Sequence, residues 1–190
     1  MTAPSDVETS IERGTLILKN FIDKFIKFPK ILIAFINGPA IGIAVTILAL
    51  FDGVYASSNA TFALPFIRNG LSPEGCSSFL FPSLMGALHA KEVLLFDRKL
   101  TAQEAQQRGL VTRVIDQTNF FEEKEKIIEH VLSLPRGSLL SSKSLLQKST
   151  LENLFEVNQR ELDYLKHRWT DEEFLQVIGN FFGERNKSKL

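Results

Sequence analysis

Twenty-one consecutive residues, Ile31 to Phe51, carry no charge, which leaves two choices: one helix across a bilayer, or burial inside a protein. The length suffices for a membrane helix. Asn37, Gly38 and Pro39 interrupt it, however, with a turn-forming triplet that separates two apolar runs of different character. Ile31 to Ile36 has the length and β-branched content of a buried strand, and Ala40 to Phe51 has the length of a buried helix. The expectation is strand, tight turn, helix, with no membrane span.

The rest of the chain extends this α/β pattern. Met1 to Ser10 is polar and is expected to be disordered. Ile11 to Phe28 spaces Ile17, Phe21, Phe25 and Phe28 along one helical face and stops at Pro29. Gly53 to Ser57 and Thr61 to Leu64 read as short strands. Arg68 to Ser78 is a loop rich in Gly, Ser and Pro. Helices are expected within Ser83 to Asp97 and over Thr101 to Arg108, the second opened by a capping box of Thr101 with Glu104 and closed by Gly109. Val111 to Ile115 is extended. No strand signal follows: helices are expected at about Phe120 to Ser133, Ser138 to Lys148, Leu151 to Arg168 and Asp171 to Phe182, with capping boxes at Ser149/Glu152 and Thr170/Glu173. The pattern predicts an α/β core over residues 11–133 and a helical region over 134–187.

Charge gives no general reason to approach nucleic acid or anionic lipid, because 22 basic residues balance 22 acidic ones. The single cysteine, Cys76, excludes an internal disulfide. Ser188, Lys189 and Leu190 spell the address read by the peroxisomal import receptor, so the matrix of that organelle is the expected compartment. His89, His130 and His167 are too scattered for a metal site, and Cys76 has no neighbouring His to make it a nucleophile. No phosphate-binding loop is present. Glu74 stands out because a carboxylate in a Ser/Pro/Gly loop between apolar runs is either a solvated loop residue or a buried acid/base.

Several motifs resemble the crotonase, or enoyl-CoA hydratase/isomerase, family, and they span nearly the whole chain after Phe25. They are Pro29-Lys30 before Ile31-Leu32-Ile33-Ala34; Asn37-Gly38-Pro39-Ala40-Ile41-Gly42; Phe51-Asp52 before Tyr55-Ala56-Ser57; Ala60-Thr61-Phe62; Leu71-Ser72-Pro73-Glu74-Gly75; and Leu100 to Ala105 with Gly109-Leu110-Val111. Ser72 to Ser78, with the terminal tripeptide, is most similar to peroxisomal Δ3,Δ2-enoyl-CoA isomerases.

That resemblance implies a spiral ββα crotonase-like core, an acyl-CoA substrate, no cofactor and no metal. It implies Glu74 as acid/base and the backbone N–H of Ile43 as an oxyanion donor. The N-terminal end of a helix offers such donors together with a positive dipole end. Around them, Ala40, Gly42, Phe66, Pro73 and Gly75 are implied to line the substrate, with Gly42 letting the backbone come close to the thioester. Lys143, Arg185 and Lys187 are candidates for the CoA phosphates, with a solvated helix face as the alternative. Trp169, Phe174, Phe181 and Phe182 suit core or a subunit interface. Family members assemble as trimers, which implies a homo-oligomer or a hetero-oligomer with a full-length homologue.

Two departures qualify the resemblance. Hydratases of the family activate water with two glutamates, which fall at Thr46 and Phe66 here, so isomerase ranks above hydratase. Family members also carry further strands and a second oxyanion donor in front, so the fold is expected to be N-terminally truncated. Loss of one such donor costs about 3 kcal/mol in the barrier. A catalytically impaired short isoform, or a structural subunit of an oligomer, is therefore the alternative.

Overall fold

In a computed structural model, the backbone of residues 4–187 and the side chains of residues 8–180 are described. The terminal tripeptide Ser188-Lys189-Leu190 and the side chains of Phe181, Phe182, Arg185 and Lys187 lie outside those residues. Helix α1 runs from Pro4 to Ile26, so Pro4 to Ser10, expected without structure, form its first turns. The chain then enters β1 (Ile33–Ile36) and β2 (Pro39–Ile41). Pro39 fits the first position of a strand, where its missing N–H is least costly. The uncharged segment is therefore strand, turn, short strand, and then α2 (Ile43–Thr46) continued by a 3-10 turn over Ile47–Leu50. Its helical part starts at Ile43 rather than at Ala40.

The remaining strands are β3 (Gly53–Ser57), β4 (Thr61–Ala63), β5 (Leu100–Thr101) and β6 (Arg113–Ile115). They form two three-stranded sheets. The first has the order β1-β3-β6, all parallel, with Ile33 opposite Gly53 and Tyr55 opposite Arg113. The second has the order β2-β4-β5, parallel and then antiparallel, with Ala40 opposite Phe62 and Phe62 opposite Leu100. Asn37-Gly38 passes the chain from the first sheet to the second, and β2, α2 and the 3-10 turn then form the crossover that the parallel pair β1 and β3 requires.

Helices α3 (Ser77–Met85) and α4 (Ala87–Leu95) replace the single helical stretch expected from Ser83, and α5 (Ala102–Gln107) carries the expected capping box. Then come α6 (Phe120–Ser133), α7 (Arg136–Gln147), α8 (Leu151–Thr170) and α9 (Glu172–Lys187). The caps of the last two differ from expectation. Thr150 rather than Ser149 precedes α8 and makes no side-chain cap bond. At α9 the Asp171 carboxylate accepts the Glu173 N–H at 3.0 Å.

Two apolar clusters hold the fold. The main one joins Ala34, Val54 and Ala56 of the first sheet, Ala40 and Phe62 of the second, and Phe81, Val93 and Ala105 of the helices. The second lies between α1 and α8: Ile22, Ile26, Leu154 and Val157 close over Leu50 and Cys76. The turn leading into α3 is thus clamped between the sheets and the late helix α8.

Candidate active site

Glu74 ends the stretch between β4 and α3 and is only 5% exposed. Two constraints fold the chain back there. Gly70 (φ +67) leaves 3.2 Å between a would-be Cβ and the backbone of Phe174, and Arg168 donates from Nε to the Gly70 carbonyl at 3.0 Å. Gly75 (φ +72) lies so close to Thr46 that a Cβ would sit 2.5 Å from its Oγ1. Only glycine permits both the left-handed turn and that approach.

The approach gives Glu74 its partner. Thr46 donates from Oγ1 to Glu74 Oε1 at 3.0 Å, whereas Oε2 is buried with no hydrogen-bond partner. Burial pushes the Glu74 carboxyl up from 4.5 to about 7; the Thr46 hydroxyl opposes the change and the nearby charge of Glu161 adds to it. A carboxyl poised near neutrality with one free oxygen can take up a proton and return it.

The same threonine ties Glu74 to the start of α2, since its hydroxyl also lies 3.3 Å from the Ile43 carbonyl. Gly42 precedes that helix at φ 61, ψ −129, and its N–H is held by the Ala63 carbonyl at 2.9 Å. Its own carbonyl accepts the N–H groups of Val45 and Thr46. The Ile43 N–H, in the first turn, has no intrahelical acceptor, and no acidic side chain lies in that turn to compete for it. The structure therefore brings Glu74, Thr46, Gly75, Gly42 and Ile43 together.

Other expected residues fall differently. Ala40 is buried in β2 and Phe66 in the main core; Pro73 is half-buried. Lys143 was expected at a phosphate, but its side chain is 4% exposed and its ammonium contacts Asp52 Oδ2 at 2.6 Å and the Lys30 carbonyl at 2.7 Å. Desolvated and committed on two sides, it holds α7 to the sheet and is not presented to a ligand. Two open grooves of about 690 and 620 Å³ lie elsewhere, along β1, α6 and α7 and beside Tyr55 and Arg113; none of the site residues lines them. Among the described residues no three His, Cys, Asp or Glu side chains cluster as metal ligands, and no helix is long and apolar enough to cross a membrane.

Sequence reasoning missed two contributors. Thr46 was read only as a missing glutamate. Glu161 was not singled out, although it stands among Val157, Asn158, Leu162 and Leu165 on the buried face of α8. A carboxylate on a mainly apolar helical face is the signal that marks it.

The fold is that of an α/β protein, with a buried, neutral-range carboxyl beside the amide end of a short helix on two small sheets backed by helices. The chain belongs to the enoyl-CoA hydratase/isomerase family, whose profile matches residues 14–189. It is 44% identical over 186 residues to enoyl-CoA delta isomerase 2 of Rattus norvegicus, covering 98% of this chain and 48% of that protein. It is 42% identical to the peroxisomal enoyl-CoA delta isomerase 3 of Mus musculus, covering 97% of this chain and 58% of the relative. An enoyl-CoA hydratase/isomerase structure from Pseudoalteromonas atlantica superposes with a TM-score of 0.83 at 35% identity, over 86% of this chain and 66% of that one. The chain thus spans about half the length of the curated relatives it matches.

Proposed function

We propose that this chain acts as an enoyl-CoA isomerase that moves the double bond of a 3-enoyl-CoA to the 2-position. The single observation that carries the reading is the buried Glu74 carboxyl, held near neutrality with Oε2 unpartnered. Ionised Glu74 removes a proton from the carbon between the thioester carbonyl and the double bond. The electron pair moves toward the carbonyl oxygen, where the Ile43 N–H and the positive end of α2 stabilise the enolate. Protonated Glu74 then returns the proton two carbons further on, and one carboxylate completes the cycle.

Thr46 and Phe66 favour isomerisation over hydration, since neither can activate water and a buried Phe66 keeps the region apolar. Gly42, Pro73 and Gly75 would flank the acyl thioester. The peroxisomal matrix and a trimeric assembly belong to the same reading, supported by the terminal Ser-Lys-Leu and by the name of the mouse relative for the former.

The test is purified chain with a 3-enoyl-CoA substrate, following the conjugated 2-enoyl thioester. Conversion is expected, and Glu74→Gln should reduce kcat by at least about 100-fold. Absence of conversion, or an unchanged rate in the variant, overturns the proposal.

A further inference from the structure

Helix α3 begins without a cap of its own. The residue before it, Cys76, sits at φ +61 with no side-chain cap bond, and no acidic residue occupies the first turn. A non-glycine residue in that conformation persists only where its surroundings hold it. The hold comes from α8: Glu161 Oε2 accepts the Cys76 N–H at 2.7 Å and Oε1 accepts the Ser78 N–H at 2.8 Å. Glu161 is 5% exposed; burial raises its carboxyl, and the Ser78 and Cys76 donors at the positive end of α3 oppose that rise by favouring the charged form. On the other side of the same turn, the Glu74 carbonyl accepts from Ser77 Oγ at 2.7 Å. The backbone on which Glu74 sits is thereby fixed from both directions.

We propose that Glu161 is the positioning residue of this site: a carboxylate on α8 that, through the Cys76 and Ser78 N–H groups, holds the turn from which Glu74 projects. This rests on the reading of Glu74 as the acid/base. Glu161 also acts on Glu74 through space, as a like charge that helps keep the Glu74 carboxyl protonated to higher pH. The other charged and titratable groups around the turn are the Cys76 thiol, Asp23 on α1 with its partner Lys19, and Arg160 on α8. Burial keeps Cys76 protonated, so it adds no charge. An ordinary buried cap would only stabilise the fold. Glu161 does that and also sets the aim of the reacting group, whose carboxyl is raised chiefly by burial and only further by the Glu161 charge.

Glu161→Gln separates these roles, because the amide removes the charge and turns an NH2 toward one of two N–H donors. The carboxyl of Glu74, observed by 13C NMR in the full chain, is expected to titrate below the wild-type value. In the turnover assay kcat should fall at least about tenfold while KM changes less than about twofold. A folded variant whose kcat stays within about twofold of wild type overturns the proposal and leaves Glu161 a stabilising cap. If Glu161→Gln does not fold, Glu161→Asp decides, since it keeps the charge on a shorter arm. A lowered kcat at wild-type KM supports the proposal, and a wild-type kcat overturns it. Should wild-type chain show no turnover, the isomerase reading falls by itself, and the NMR titration of Glu74 still decides for or against Glu161.

Discussion

At the scale of single residues, the site turns on one carboxyl whose charged form the fold disfavours. Folded Glu74 titrates near 7 against 4.5 for an ordinary glutamate, so the unfolded chain releases this proton first as pH rises. The linked stability is fully present below about 4.5 and is lost as pH climbs through 7. Glu74→Gln cannot ionise. Between pH 4 and pH 8.5 its stability, measured by urea denaturation, should therefore gain on wild type by on the order of 3 kcal/mol. Thr46→Val probes the opposing contribution. The hydroxyl favours ionised Glu74, and its loss should move the acid limb of the kcat/KM–pH profile to higher pH; a shift to lower pH would contradict the geometry. The position of Glu74 was legible in Leu71 to Gly75 as a motif. Its partner was not, because a threonine 28 residues away in sequence reaches it only through the approach allowed by Gly75.

At the scale of elements, the long periodic segments and the short strands at Gly53–Ser57 and Thr61–Ala63 were legible, and the shortest strands were not. Phe120 to Ser133 was expected as a helix and is one. Strands β2 and β5, of three and two residues, are too short to show a period and exist because β4 lies between them. The start of α3 was missed because its cap is tertiary: Glu161 reaches it from α8, a pairing that no local pattern announces. The seam of α1 and α8 is the element pair on which the site turn leans. There Ile22 and Val157 are fully buried, and Asn158 donates from Nδ2 to Asp23 Oδ1 at 2.7 Å. Ile22→Ala should cost about 2–4 kcal/mol in chemical denaturation, since a cavity between two helices closes only in part. Hydrogen exchange should rise in α1 and at the Cys76 and Ser78 amides, while the β1-β3-β6 sheet stays protected. Uniform loss of protection would mean that the seam is not a separate unit.

At the scale of the whole molecule, the α/β front and the helical back half were both foreseen, but the bonds joining them were not. Lys143 is the instructive case. From the sequence it was a surface cation suited to a phosphate, because nothing local distinguishes a lysine on a solvated helix face from one that reaches inward. In the fold its stem is buried and its ammonium bridges Asp52 and the Lys30 carbonyl, more than ninety residues earlier in the chain. Asp52 in turn accepts the Leu32 N–H at 2.7 Å, just ahead of β1. The two roles predict different outcomes for Lys143→Ala. A phosphate contact would raise KM for acyl-CoA, make it more salt-dependent and leave stability untouched. A tie between halves would lower stability by about 2 kcal/mol and leave KM alone, the loss staying moderate because Asp52 is partly open to water and keeps the Leu32 N–H. The second outcome is expected. Urea denaturation and KM measured at two salt concentrations on the same preparation decide between them, and an unchanged denaturation midpoint with a raised KM would return Lys143 to the ligand.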